Sequence, residues 1–369
     1  MGGKKNLKKK INVTMPFLPP IDEFNESLRK IWSSRVFTNN GPFCKKFEKK
    51  LCNYTKIRNI SLVNNATTGL IIGLKYFQLK GEVITTPFSF PATAHSIEWN
   101  NLTPIFADVE QQTGNLCPES VERLITKKTS AILAVHNFGL PFQVENLSKL
   151  AATYNLPLVY DAAPAFGVKY KGESIFSLGD LSVVSFHATK ILTTFEGGAI
   201  FLKTGIEKNK VDLLKNFSIK DTEEVLGSGI NGKMNEISAA FGLTQFPYLS
   251  KIISKRKKVY DLYSVSFRSN VGLRLIDIPE NTEYNYAYCP IYISDGFEAR
   301  EKLYNKLKSN NIHCRKYWYP LLSKISIYSK NVHTSIKKAI DMSEKILCLP
   351  IYPDLELEDQ EKIIDIIKS

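Results

Sequence analysis

The sequence predicts an α/β chain, with a large layered domain around a mainly parallel sheet followed by a smaller α+β C-terminal domain. Three observations carry this. Between residues 60 and 202, short β-branched or apolar runs alternate with helix-like segments, the pattern of buried strands joined by helical crossovers. After about residue 267 the character changes to strand-like pieces (LRLI, YCPIYI) and then helices. The 369 residues, 43% hydrophobic and 23% charged, match a globular chain with a sizeable core.

The elements follow in order. Residues 1–14 begin MGGKKNLKKK and read as a basic, disordered tail without the apolar stretch of a signal peptide. Ile21, Phe24, Leu28 and Ile31 fall at helical spacing and predict an amphipathic helix. The run NNGP at 39–42 breaks the chain, and a second helix follows through Phe43, Phe47 and Leu51. Strands are predicted at 60–63, 83–85, 131–135, 157–160, 182–186 and 199–202, with helices at 67–77, 118–127 and 145–153 between several of them. Residues 233–266 read as long helices joined near Pro247. The chain therefore divides into the tail at 1–14, a large domain at 15–250 and a small domain at 251–369.

Composition narrows the function. No apolar run approaches the roughly 20 residues of a membrane span. The formal charge of +13 is spread widely, with short clusters at 8–10 and 255–258 and no helix-turn-helix or RNA-binding signature. That argues against a nucleic-acid partner and suits a phosphorylated small substrate. The six cysteines include no C-x-x-C pair and no Cys/His set with zinc spacing. Reduced, structural thiols in a cytoplasmic protein are the expectation, with no metal.

Four places carry chemistry. In LSVVSFHATKILTTFEGGAI (181–200), an apolar strand runs toward Lys190. Burial disfavours a lysine's charge, and an uncharged amine is what a Schiff base requires. Asp161 ends the run LVYD, where a carboxylate can hold a cationic ligand group, such as the pyridinium nitrogen of pyridoxal 5′-phosphate (PLP). Asn64 to Gly69 (NNATTG) joins a strand to a helix, the usual setting for phosphate on open amides. Phe90 follows another strand, where an aromatic ring can stack on a planar cofactor. Each has a second reading when taken alone: a surface lysine, a helix N-cap, an ordinary capped turn and a core aromatic. The run GSGING at 227–232 satisfies G-x-G-x-x-G but follows no buried strand, so it is no dinucleotide fingerprint. Neither H-E-x-x-H nor G-x-S-x-G occurs.

The order of motifs is more specific than any one of them. TNNGP (38–42), GEVITTPFSFPATAHS (81–96), TPIFADV (103–109), VHNFGLP (135–141), DAAPAFG (161–167), SFHATK (185–190), EGGAI (196–200), GINGKMNEISAA (229–240) and CLPIYP (348–353) follow one another. This series resembles the DegT/DnrJ nucleotide-sugar aminotransferases over roughly residues 16 to 365. The resemblance implies a fold-type-I PLP aminotransferase. It implies that Lys190 bears the cofactor, which alternates between PLP and pyridoxamine phosphate, and that Asp161 pairs with the pyridine nitrogen. It also implies phosphate contacts at Ala66, Thr67 and Ser185, and Phe90 against the ring. Asn231 matches an asparagine that reaches the phosphate of a neighbouring subunit, which implies a homodimer with shared sites.

Two positions depart from the family. Pro164 stands where Gln or His is common near the phenolic oxygen, and Pro320-Leu321-Leu322 lacks the His of P-L-H. Tyr317 and Tyr319 are the candidate substrate residues in its place. The implied reaction moves an amino group from L-glutamate to a nucleotide-linked keto-6-deoxy sugar, dTDP-4-keto-6-deoxyglucose first among them, for bacterial surface glycan or O-antigen synthesis. A C3 aminotransferase, and a regulatory or nucleic-acid-binding protein on the same fold, are the other readings.

Overall fold

The structure, a computed structural model, describes residues 9–141, 143–221 and 224–369. The chain enters as β1 (Ile11–Asn12), followed by α1 (Ile21–Ser34) and α2 (Pro42–Thr55). Helix α2 starts on Gly41 with proline in its first turn, where the missing N–H costs nothing. Then come β2 (Asn59–Val63), α3 (Ala66–Tyr76), β3 (Glu82–Thr85), α4 (Pro91–Glu98), β4 (Thr103–Phe106), α5 (Pro118–Glu122), β5 (Thr129–Val135), α6 (Val144–Thr153) and β6 (Leu158–Asp161). A small hairpin of β7 (Lys169–Tyr170) and β8 (Glu173–Ser174) precedes β9 (Leu181–Ser185), β10 (Gly198–Leu202) and α7 (Gly205–Leu214).

Seven strands form one sheet in the order β2-β10-β9-β6-β5-β3-β4. Only β10 runs against its neighbours, pairing antiparallel with both β2 and β9, while the other pairs are parallel. Alternate side chains enter different cores. Val83, Val159 and Val183 pack beneath Leu70, Ile72 and Leu74 of α3. Ile84, Leu158 and Tyr160 face Val121 of α5 and Leu147 of α6. Coverage on both faces is why these strands read as continuous apolar runs.

Helix α8 (Glu236–Gln245) and α9 (Leu249–Phe267) then lead to β11 (Leu273–Leu275), β12 (Thr282–Glu283), β13 (Cys289–Ile293), α10 (Phe297–Ser309), β14 (Ile312–His313), α11 (Lys337–Lys345), β15 (Ile346–Leu349) and α12 (Leu357–Lys368). Phe24 and Ile31 of α1 pack on Ala240 and Phe241 of α8, as the spacing predicted. Strands β11, β13 and β15 make a second, antiparallel sheet covered by residues of α9, α10 and α12.

Several expectations change. Residues 1–8 of the proposed tail lie outside the described residues, but residues 11–14 are no tail. Strand β1 pairs parallel with β14, Ile11 is fully buried, and the Val13 carbonyl accepts from the Ile351 amide. Ile11 and Val13 are apolar, and a free strand edge gives them a place to bury. The helix expected over 118–127 stops at Glu122, because the Thr126 and Thr129 hydroxyls capture local amides into a turn. Helix α4 and strand β4 were not anticipated. The boundary at 250/251 falls inside α9, so that helix links the two parts.

Candidate active site

Most of the parallel strands end toward one cleft of about 780 Å³, where ligands bind in open α/β sheets. Five strand ends supply it: Asn65, Ala66 and Thr67 after β2, Phe90 after β3, His136 and Asn137 after β5, Asp161 closing β6, and Ser185 to Lys190 at the end of β9. Tyr288, Arg315, Tyr317 and Trp318 reach it from the C-terminal part.

Asp161 is buried. The Thr93 hydroxyl of α4 donates to its Oδ2 at 2.8 Å and the Ala163 amide to its Oδ1 at 3.2 Å. Burial pushes the carboxyl above the usual carboxylate range, against the pull of those donors and of Lys190. Both direct donors are neutral. A cationic N–H is therefore the partner this carboxylate lacks, and a protonated pyridine nitrogen supplies one.

Helix α3 begins after Asn65, whose side chain caps the Thr68 amide at 2.8 Å. The Ala66 and Thr67 amides remain as first-turn donors facing the cleft. Strand β10 crosses beneath them at close range: a Cβ on Gly198 would sit 2.9 Å from the Ala66 nitrogen and 2.8 Å from the Val184 carbonyl oxygen. Gly198→Ala must therefore displace backbone. We expect it to lower stability by about 1–3 kcal/mol and to weaken retention of a phosphate-bearing cofactor, read by thermal melting with and without added PLP.

Strand β9 ends at Ser185, and Lys190 closes the turn that follows, its amide donating to the His187 carbonyl at 2.9 Å. Lys190 is half-buried, not buried at the strand end as expected. Its Nζ donates to the Tyr288 hydroxyl at 3.2 Å. Phe90 is 57% exposed and lines the cleft, so it is no core aromatic. Its ring lies 5.8 Å from that of Trp318. His136 stacks on Tyr160 at 4.3 Å, and burial drives its pKa down to about 3. Its Nε2 has no hydrogen-bond partner among the described residues. A lysine, an underpartnered buried carboxylate, open helix amides and an orphaned ring nitrogen in one cleft fit a planar, phosphorylated, cationic-ring cofactor.

The other candidates divide. Pro164 lines the cleft and offers it no side-chain donor; its carbonyl accepts from Asn285 at 2.8 Å. Tyr317 lines the cleft, but Tyr319 does not. The Tyr319 ring covers the buried Arg300 guanidinium at 4.7 Å and packs by Phe297, a job set by the need to cover that cation. Asn231 also lies outside the cleft, bridging to Asn216. Sequence reasoning missed Tyr288, Arg315 and Trp318. Trp318 donates its indole N–H to Asn137 at 3.0 Å, and no local pattern marks any of the three.

Comparison with known proteins shows the family. Residues 20–368 match the model of the DegT/DnrJ/EryC1/StrS aminotransferase family. The chain is 44% identical to a dTDP-4-amino-4,6-dideoxy-D-glucose transaminase of Escherichia coli, over 97% of this chain and 98% of that one. It is 41% identical to the protein of the same name from Shigella dysenteriae, over 98% and 100%. Among solved structures it resembles DesI, analysed with its TDP-sugar product, at a TM-score of 0.93 and 30% identity over 97% of this chain and 92% of that one. The match spans both parts of the chain and every strand end that builds the cleft, and the chain belongs to the DegT/DnrJ/EryC1/StrS aminotransferase family.

Proposed function

We propose that this aminotransferase uses PLP on Lys190 to move an amino group from L-glutamate to a dTDP-linked 4-keto-6-deoxy sugar, giving a dTDP-4-amino-4,6-dideoxy sugar. The observation that carries the chemistry is the convergence of Lys190, Asp161 and the open amides of α3 on one cleft. The sugar assignment is supported by the names of the two transaminases at 44% and 41% identity. A GDP-perosamine synthase of Escherichia coli O157:H7, 30% identical over 94% of this chain, supports a nucleotide-sugar substrate more broadly, and a role in surface glycan or O-antigen synthesis.

When bound, the cofactor supplies an electron sink for a carbanion at the amino-donor carbon. The protein's own groups do the rest. Asp161 would keep a proton on the ring nitrogen. The amides of Ala66 and Thr67, with Ser185, would hold the phosphate, and Phe90 would lie against the ring. The Lys190 amine, once free, would serve as the base and acid that moves the donor-carbon proton. Tyr317 borders the substrate end of the cleft.

A homodimer is part of the same proposal, with Asn231 reaching the phosphate site of the second copy. Asn231 sits among exposed apolar residues, Phe217, Val225, Leu226 and Ile230, and such a cluster fits burial against another protein surface. A cytoplasmic location is also proposed; six free cysteines fit a reducing compartment. Among the described residues no helix is long and apolar enough to cross a membrane.

The test is a panel of dTDP- and UDP-linked 3-keto and 4-keto sugars with L-glutamate, read by mass spectrometry and NMR. We expect amination at C4 of the dTDP-4-keto-6-deoxyglucose member. Amination at C3 only, or no product from any member, overturns the sugar assignment.

A further inference from the structure

We propose that Tyr288 is the positioning residue for Lys190: its hydroxyl holds the free lysine amine at the cleft during proton transfer. This rests on the reading of Lys190 as the cofactor-bearing lysine, and goes beyond it by assigning a role to a residue of the C-terminal part. The Lys190 Nζ donates to the Tyr288 hydroxyl at 3.2 Å and lies 5.7 Å from the centre of its ring.

The surroundings fix Tyr288 from both sides. Its ring meets Phe138 edge-on at 5.8 Å and Tyr317 edge-on at 5.7 Å. Residues 284–288 are also pinned to the loop after Asp161. The buried Asn285 amide donates to the carbonyls of Pro164 and Phe166, both at 2.8 Å, and its Oδ1 accepts from the Ala287 amide at 2.9 Å. The Tyr284 hydroxyl donates to the Phe138 carbonyl at 2.8 Å. The segment that presents Tyr288 is thus tied to the loop that follows Asp161.

A phenol suits both conditions of the amine. As a neutral base, Lys190 has a lone pair that the phenol can donate to. After taking the proton from the donor carbon it is an ammonium, which donates to the phenol oxygen. No proton leaves Tyr288 in either condition. A four-carbon side chain has many rotamers, and one fixed partner selects those that keep the amine over the reacting carbon.

The test is Tyr288→Phe, which keeps the ring between Phe138 and Tyr317 and removes only the hydroxyl. In the PLP-loaded full chain mixed with L-glutamate alone, the rate of loss of the cofactor's visible band is followed against glutamate concentration. We expect the limiting rate to fall by about tenfold or more, with half-saturation changed by less than about threefold. In the cofactor-free protein, labelling of Lys190 by trinitrobenzenesulfonate, read by peptide mass, should change in rate, because the amine has lost its partner. Wild-type rates in both measurements overturn the role of Tyr288. If wild-type protein itself takes up no PLP on Lys190, the reading of that lysine fails instead, and the two failures are distinguishable.

Discussion

Lys190→Ala is expected to abolish transamination, with a loss of at least about a thousandfold in product formation. On the proposed role of Lys190, two functions vanish together: the covalent hold on the cofactor and the amine that carries the proton, the latter worth about 10²–10⁴-fold by itself. Beside it, Tyr288 is the partner of its amine, and His136 is held neutral with a pKa near 3. The fold should survive, because the side chain is half-buried and the turn is held by backbone bonds. Product analysis by mass, beside a thermal melt matching wild type, checks both halves.

Asp161→Asn is expected to cost about a hundredfold or more in activity, because the amide cannot keep a proton on the ring nitrogen through charge. Its effect on stability should have the opposite sign. Burial raises the folded carboxyl above its ordinary value. Below the unfolded pKa both states are protonated and the group is neutral to stability. As pH rises through the unfolded and then the folded pKa, the unfolded state ionises more readily, and stability is lost; above the folded pKa the cost is constant. Asp161→Asn removes that cost. The cofactor-free variant should therefore melt higher than wild type at neutral pH and equal to it well below the ordinary carboxylate range. The Ser89 and Thr93 hydroxyls, 2.7 Å apart with either able to donate, can reorient around an amide. Loading with PLP should reverse the order, since only the carboxylate gains an ion pair. Melting curves with and without PLP at two pH values measure it.

Much of the fold was legible because of burial on both sheet faces. Runs such as ILAV and SVVS are β-branched, short and bounded by polar turns, and they became β5 and β9. Strand β4 escaped because it is four residues long, begins exposed at Thr103 and contains Pro104. Helix α4 escaped because PATAHSIE has proline at its start and no clear apolar period. The meeting of Asp161 and Lys190 in one cleft was legible for a different reason: both lie at or just beyond strand ends, where chain order and position in the sheet coincide. Tyr288 and Trp318 were not, because they arrive through packing of the C-terminal part, which leaves no trace in local spacing. Tyr317 and Tyr319 look equivalent at i and i+2, yet only the first faces the cleft, since Arg300 claims the second.

On the proposed chemistry, Lys190 is the one amine of the chain that takes the cofactor. Loading the full chain with PLP, reducing with borohydride and mapping peptides by mass tests it directly. We expect a single pyridoxyl-phosphate adduct on the peptide containing Lys190, absent from Lys190→Ala. An adduct on another lysine, or none at all, would contradict it.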